Sequence, residues 1–164
     1  MASAFRYSFD TVVDRLRGSA TVISRGVAIE VVALWDTGAT MCGISDDVIK
    51  ALALEPTGQR RVSTPSSDDT ILDTYVVDLL LPNDVRIDDV QVVSSKIGSQ
   101  GIGLLIGMDI ISRGDVLITN SQKTIFSFRM PSESLPDFVT GITASNIIGR
   151  ARGPGGRHKP KTKK

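Results

Sequence analysis

The amino-acid sequence predicts a mainly β, barrel-like domain with one or two short helices. Short apolar stretches recur along the chain, and clusters of Pro, Asn, Asp and Ser separate them, as at residues 82–84 and 120–123. One stretch, residues 45–53, carries clear helix signals. The chain is long enough for one domain with its own hydrophobic core.

The first predicted strands lie within residues 1–35. A strand is expected near Tyr7, and residues 19–23 and 27–35 are predicted to pair as a hairpin, because Arg25-Gly26 is typical of a tight turn. Both faces of the 27–35 strand become apolar toward its end. This pattern favours a strand that enters the core of the domain.

A helix is predicted shortly after this strand. Ser45 suits the N-cap position, and Asp46 and Asp47 would occupy the first turn, where the helix dipole favours acidic residues. The helix is expected to continue to about Ala53 and to end before Pro56.

The following residues are predicted to form short strands and turns. Residues 60–75 are interpreted as two strands around a polar hairpin tip at 65–69. A glycine-interrupted apolar run, 101–111, contains Gly107-Met108-Asp109. Further strands are expected at residues 75–81, 85–93, 116–119 and 124–130.

Charge divides the chain into an acidic body and a basic tail. Seven of the nineteen Lys and Arg residues, and none of the eighteen acids, lie from Arg150 onward, so the body has twelve basic and eighteen acidic residues. We expect residues 150–164 to be disordered. The tail could contact nucleic acid or a membrane surface, dock on the acidic body, solubilise the chain or be cleaved off, but it has no aromatic residue for base stacking.

The residue inventory excludes several classes of chemistry. The only histidine, His158, lies in the basic tail, so a Ser–His or Cys–His couple inside the fold is not expected. A zinc site built from His and Cys would have too few ligands, and there is no glycine-rich phosphate loop followed by Lys-Ser/Thr. Carboxylates remain as the acid–base groups, and we expect neither a metal nor another cofactor.

One motif, Asp36-Thr37-Gly38-Ala39-Thr40, stands at the end of the apolar 27–35 strand. A carboxylate at the end of a buried strand is costly unless its oxygens are hydrogen-bonded or its charge is shared. We expect Gly38 to adopt backbone angles that a side chain would forbid. The position of Asp36 therefore indicates a functional carboxylate.

This motif, together with a second one, resembles the retropepsin-like aspartic protease family. The second motif, Leu104-Leu105-Ile106-Gly107, is similar to the family's hydrophobic–hydrophobic–glycine element and lies at a suitable distance from the first. The resemblance covers about residues 19–131 and implies a retropepsin-like closed β-barrel, the acid protease fold. The expected division of the chain is an N-terminal segment, a protease domain, an extension that could contribute a dimer contact, and the tail, at residues 1–17, 18–131, 132–149 and 150–164.

The resemblance implies an aspartic endopeptidase that acts on peptide or protein substrates as a homodimer. Because the chain carries one Asp-Thr-Gly motif and bilobal relatives carry two, Asp36 of each protomer would meet the other at a two-fold axis. The two carboxylates would share one proton, as in aspartic proteases generally. One would take a proton from water while the other donates to the scissile carbonyl oxygen.

The resemblance also assigns roles to the neighbours of Asp36. Thr37 would hydrogen-bond across the dimer axis, and the backbone amide of Gly38 would bond the carboxylate, so these two residues complete the catalytic set. Ala39 would lie beside the substrate.

The hairpin at residues 60–75 has the position of the family's flap, which closes over the substrate. Ser66, Ser67 and Asp68 at its tip would then bind substrate. The tip lacks the glycines of retroviral flaps. If Asp68 and Asp69 lie over the cleft, they would favour basic substrate residues; the alternative is a solvated turn.

Three further residues have competing interpretations. Trp35 suits core or dimer-interface packing better than a substrate platform. Cys42 is interpreted as a small buried residue, and an oxidation sensor is the alternative. Asp109 is expected to cap a helix or to make a surface hydrogen bond rather than to serve as an extra catalytic acid.

Two other functions remain as alternatives. One is a retropepsin-fold dimerisation or peptide-binding module with little or no proteolytic activity; the intact motif argues against it and the unusual flap argues for it. The other is a processing domain of a mobile-element polyprotein. Apart from the surface contact that the tail could make, we expect no membrane partner, and no run approaches the ~20 apolar residues of a spanning helix. No signal peptide is evident, and the single cysteine favours a cytoplasmic location.

Overall fold

The computed structural model describes residues 2–64 and 67–133, which belong to one compact unit. The strands are β1 (Ser3–Ser8), β2 (Arg17–Ser24), β3 (Val27–Trp35), β4 (Gly43–Ser45), β5 (Gly58–Thr64), β6 (Ser67–Leu81), β7 (Val85–Ser95), β8 (Leu104–Ile106), β9 (Asp115–Thr119) and β10 (Ile125–Met130). The helices are α1 (Asp46–Ala51) and α2 (Met108–Ile111). The predicted mainly β class with short helices is confirmed.

A seven-stranded sheet closes into a barrel. Its strand order is β2-β3-β8-β4-β7-β6-β5, and β2 pairs with β6 as well. Six strands therefore form a closed ring. Among the described strands, β5 lies outside the ring and pairs only with β6, with which it forms an antiparallel hairpin. A separate three-stranded sheet has the order β1-β10-β9. The predicted closed β-barrel is confirmed.

One hydrophobic core joins residues of the barrel with residues of the three-stranded sheet. Along β3, Val31, Ala33 and Trp35 are buried and alternate with more exposed residues, as the strand period requires. Trp35 packs against Phe126 and Phe128 of β10, with ring centroids 4.7 and 5.0 Å away. The interpretation of Trp35 as a core residue is thereby confirmed.

The first helix begins as the sequence predicts. Ser45 is its N-cap, and the Ser45 Oγ accepts a hydrogen bond of 3.4 Å from the Val48 amide. The helix ends at Ala51, two residues before the predicted end. At Ala53 the φ angle is already +45°, so the chain has left the helical conformation.

Two strands differ from the prediction. β6 is one strand of fifteen residues rather than two that meet near Tyr75, because its first half pairs with β5 up to Thr74 and its second half pairs with β7 from Thr74 onward. β4 was not predicted. It has three buried residues, and its partners β7 and β8 lie far along the chain, so no local pattern indicates it.

Part of the predicted division of the chain falls outside the described residues. The basic tail and nearly all of the predicted extension belong to residues 134–164, so the division stays a prediction. Within 2–64 and 67–133, no helix is long and apolar enough to cross a membrane.

Candidate active site

Asp36 directly follows β3, and the second sequence motif fixes its backbone. β3 pairs in parallel with β8, with Trp35 opposite Ile106, and the Asp36 amide donates a 2.9 Å hydrogen bond to the Ile106 carbonyl. The two motifs, about seventy residues apart in the chain, are thus neighbouring strands of one sheet. The hydrophobic–hydrophobic–glycine element therefore positions the acid.

The carboxylate of Asp36 is held by its own turn. The Gly38 amide donates a 2.8 Å hydrogen bond to Asp36 Oδ1, as the resemblance implies, and the Ala39 amide donates a 3.2 Å bond to the Asp36 carbonyl. The Gly38 bond stabilises the carboxylate in one orientation, since hydrogen bonds to charged oxygens are stronger than neutral ones, and the Ala39 bond closes the turn.

The expected reason for a glycine at residue 38 is wrong. Gly38 is not among the residues with positive φ, so its backbone conformation is open to other residues. A Cβ at this position would instead lie 3.1 Å from Asp36 Oδ1, which is tighter than an ordinary contact. Gly38 therefore leaves room for the carboxylate that its own amide binds.

The motif lies on an open side of the protomer. Asp36 is partly buried, whereas Thr37 and Gly38 are exposed. The predicted hydrogen bond of Thr37 is to a second protomer, so it stays a prediction.

The start of α2, at Met108 and Asp109, is hydrogen-bonded to the loop that follows Asp36. The Met108 amide donates a 2.8 Å hydrogen bond to the Ala39 carbonyl, and Asp109 accepts hydrogen bonds from the amide and thiol of Cys42. In place of the expected helix cap or surface hydrogen bond, Asp109 thus bonds a buried residue of the loop. Cys42 is fully buried, as predicted, and burial raises the pKa of its thiol well above the usual range.

A cavity of about 300 Å³ opens beside Asp36. It is lined by residues of the motif, of β4 and of the ends of β7 and β8, together with residues of the β5–β6 hairpin: Asp36, Gly38, Ala39, Thr40, Met41, Gly43, Val62, Leu72, Val93, Ser94, Ser95 and Leu105. Ala39, predicted to bind substrate, is among them. Among the described side chains, the cavity combines one carboxylate with aliphatic walls and a few hydroxyl groups, which is the usual make-up of a ligand site.

The flap hairpin contributes Val62 from β5 and Leu72 from β6 to this cavity. These two contacts were not predicted, because the substrate contacts of the flap were expected at its tip. No alternation of polar and apolar residues marks them, since Val62 is the only apolar residue of β5 and Leu72 directly follows Ile71. Their shared face comes from the pairing of the two strands, in which Val62 is opposite Thr70.

The predicted tip is shorter in the structure. Strand pairing reaches Thr64 opposite Ser67, so Ser67 and Asp68 belong to β6 rather than to the turn. Ser66 lies outside the described residues, and so do the side chains of Ser67 and Asp68. Their role in substrate binding stays a prediction.

A closed β-barrel with an Asp-Thr-Gly turn beside a cavity defines a protein of the retropepsin-like aspartic protease class. Comparison with family models matches residues 20–110 to the aspartyl protease family. This match covers more than half of the chain, and the chain belongs to that family. A comparison with curated proteins gave no match.

Two solved structures are reported as similar to this chain. A retropepsin-like aspartic protease from Rickettsia conorii aligns with a TM-score of 0.52 and 13% identity, over 79% of this chain and 96% of that chain. The EIAV protease in complex with the inhibitor HBY-793 aligns with a TM-score of 0.43 and 14% identity, over 60% of this chain and 86% of that chain. At 13% identity, the similarity to the Rickettsia conorii protease shows a shared fold and nothing about function.

Proposed function

We propose that this protein is an aspartic endopeptidase in which two Asp36 carboxylates, one from each protomer of a homodimer, activate a water molecule. The observation that carries the proposal is the placement of Asp36. Its carboxylate is oriented by the Gly38 amide and forms part of the wall of a cavity of about 300 Å³.

The chemistry follows from two carboxylates in contact. They cannot both ionise cheaply, so one keeps a proton and the pair titrates as a unit. The ionised Asp36 accepts a proton from water as the water attacks, and the protonated Asp36 donates to the carbonyl oxygen of the scissile bond. A neutral tetrahedral diol forms without a covalent enzyme intermediate, so no histidine is needed.

The dimer is supported by the exposure of the motif. One protomer supplies a single Asp36 at the cavity, and the reaction needs both an acid and a base. Thr37 and Gly38 are exposed beside it, where a second copy related by a two-fold axis would bring the same residues.

The cavity walls support an extended peptide substrate with an apolar side chain near the scissile bond. Val62, Leu72 and Leu105 present aliphatic side chains to the same cavity that contains Asp36. Burial of an apolar substrate side chain against them would contribute on the order of 1–3 kcal/mol.

The test is cleavage of a diverse peptide library between about pH 3.5 and 7.5, the range in which a carboxylate dyad works. Wild type should cut, and Asp36→Asn should not. Asp84→Asn is the matched control, because Asp84 is an exposed acid in the turn between β6 and β7 and does not line the cavity. If wild type cuts nothing while sedimentation shows a dimer, the endopeptidase proposal fails and the binding-module alternative is favoured.

A mixing experiment tests the shared site. Wild type and Asp36→Asn are mixed in equal amounts at constant total concentration and allowed to exchange protomers. If each site needs two Asp36 residues, activity should fall to about a quarter of the wild-type value, since about a quarter of random dimers are wholly wild type. A fall to only one half would mean that protomers act independently.

A further inference from the structure

Asp109 makes two hydrogen bonds to one residue, Cys42, which lies sixty-seven positions earlier in the chain. The Cys42 amide donates to Asp109 Oδ2 at 3.1 Å, and the Cys42 thiol donates to Asp109 Oδ1 at 3.2 Å. Each carboxylate oxygen thus accepts from a different group of the same residue. This arrangement fixes both the backbone and the side chain of Cys42.

The thiol suits this role. Cys42 is fully buried, and burial is the main reason that its pKa is raised, with the nearby Asp109 charge acting in the same direction. The sulfur therefore keeps its proton and remains a donor to Asp109. The Gly107 amide also donates to this sulfur at 3.5 Å, so the side chain is held from two directions.

Cys42 ends the loop that begins with Asp36. The β8–α2 segment holds this loop at three points. Asp36 bonds Ile106 at the start of the loop, and Ala39 bonds Met108 in its middle. Cys42 bonds Asp109 at its end. The first two are bonds between backbone groups, which most residues could supply. The third uses both side-chain oxygens of Asp109 as acceptors, so it depends on the identity of that residue.

We propose that Asp109 is a positioning residue for the reaction, which through Cys42 keeps the loop from Asp36 onward in the orientation that catalysis needs. The inference rests on the proposed function. Asp109 bonds Cys42, at the far end of the loop, and not the residues around the carboxylate of Asp36. Its effect on Asp36 is therefore indirect and is transmitted by the loop. The loop lines the cavity as well as carrying Asp36, whereas Val62 and Leu72 belong to other strands, so loss of Asp109 should lower kcat by a larger factor than it raises KM.

The test compares Asp109→Ala with Asp109→Asn, whose amide oxygen still accepts from the Cys42 backbone. At enzyme concentrations where specific activity no longer rises, we expect Asp109→Ala to lower kcat by about ten- to a hundred-fold. Asp109→Asn should recover part of the loss. The matched control is Ser112→Ala, at the exposed end of the same helix, which should keep the wild-type kcat.

A second pair of variants guards against a folding defect. Cys42→Ser keeps a hydroxyl donor for Asp109 and should remain near wild type, whereas Cys42→Ala removes the side-chain bond and should lower kcat. In the double variant Asp109→Ala/Cys42→Ala the losses should not add, since the thiol bond to Asp109 that Cys42→Ala removes is already lost in Asp109→Ala. Additive losses, or a rise in KM at constant kcat, would overturn the proposal.

A spectroscopic measurement separates this inference from the proposed function. The amide resonance of Gly38 reports its hydrogen bond to Asp36 and should shift in Asp109→Ala and return toward wild type in Asp109→Asn. If wild type proves inactive but Gly38 responds in this way, the positioning role stands and only the proposed function fails. If the Gly38 resonance does not move, the positioning role is overturned whether or not the enzyme cuts peptides.

Discussion

A Cβ placed on Gly107 would lie 2.6 Å from the carbonyl carbon of Met41 and 2.7 Å from its oxygen. The backbone that leaves β8 therefore passes directly over the backbone of the loop that carries Asp36. Gly107 is the glycine of the second sequence motif, and it is buried at this crossing. The glycine is needed because two backbones, rather than a backbone and a side chain, approach each other.

We expect Gly107→Ala to destabilise the protein and to abolish any activity that depends on Asp36. A side chain that meets backbone atoms cannot be relieved by a rotamer change, so the loss in unfolding free energy should reach at least the ~1–3 kcal/mol typical of overpacking. Urea unfolding followed by the fluorescence of Trp35, the only tryptophan, measures it.

Gly58→Ala is the control for this prediction. Its Cβ would meet only Thr74 Oγ1, at an ordinary 3.4 Å, so its unfolding free energy should stay within about 0.5 kcal/mol of wild type. Equal stability of Gly107→Ala and Gly58→Ala would show that the loop can move away from β8 at no cost.

The sequence was sufficient to predict the acid and its strand. Asp36 follows an apolar strand without interruption, and a charged residue in that setting is rare enough to indicate function. The N-cap at Ser45 was predictable for a similar reason, since both signals lie within a few neighbouring residues. Family resemblance added the link between the Asp36 motif and the Gly107 motif.

Features that depend on distant pairing were not predictable. β4 exists because β7 and β8 flank it, and the bonds of Asp109 to Cys42 join residues sixty-seven positions apart. The role of Gly38 was also misjudged, because a contact between a glycine and the carboxylate two residues earlier appears only when the turn is built. Short polar residues signal a turn but do not reveal what it must accommodate.

We expect Leu72→Ala to lower kcat/KM for substrates with an apolar residue near the cut by about ten-fold or more. Leu72 lines the cavity that contains Asp36, so its truncation removes a wall that would contact the substrate. Steady-state kinetics with a matched peptide pair, apolar and polar, gives the comparison. Ile71→Ala is the control, because Ile71 is the preceding residue of the same strand and is 58% exposed. A similar loss in both variants would place the hairpin outside the substrate site.

The aromatic cluster behind Asp36 should determine much of the stability. Phe126 is buried and its ring lies 4.7 Å from that of Trp35, so Phe126→Ala should cost about 3–5 kcal/mol of unfolding free energy. Ile118→Ala is the control: Ile118 is opposite Phe126 in the sheet but 43% exposed, and it should cost far less. Trp35 fluorescence during urea unfolding reports both. If Phe126→Ala unfolds at the wild-type urea concentration, the cluster does not anchor the strand before Asp36.

The stability of the folded protein at low pH should depend on Asp115, which lies at the start of β9. Its carboxylate accepts hydrogen bonds from the Ser132 hydroxyl, the Glu133 amide and the Arg129 guanidinium, which, in that order of size, lower its pKa from 3.8 to about 2. A lowered folded-state pKa gives stability that is fully present above the unfolded-state pKa and is lost as the pH falls through the folded-state value. Asp115→Asn should therefore be less stable than wild type at pH 7, with a constant gap down to about pH 4 that shrinks toward pH 2. Urea midpoints across this range measure the gap, and a gap that does not change with pH would show that the Asp115 charge contributes nothing to folding.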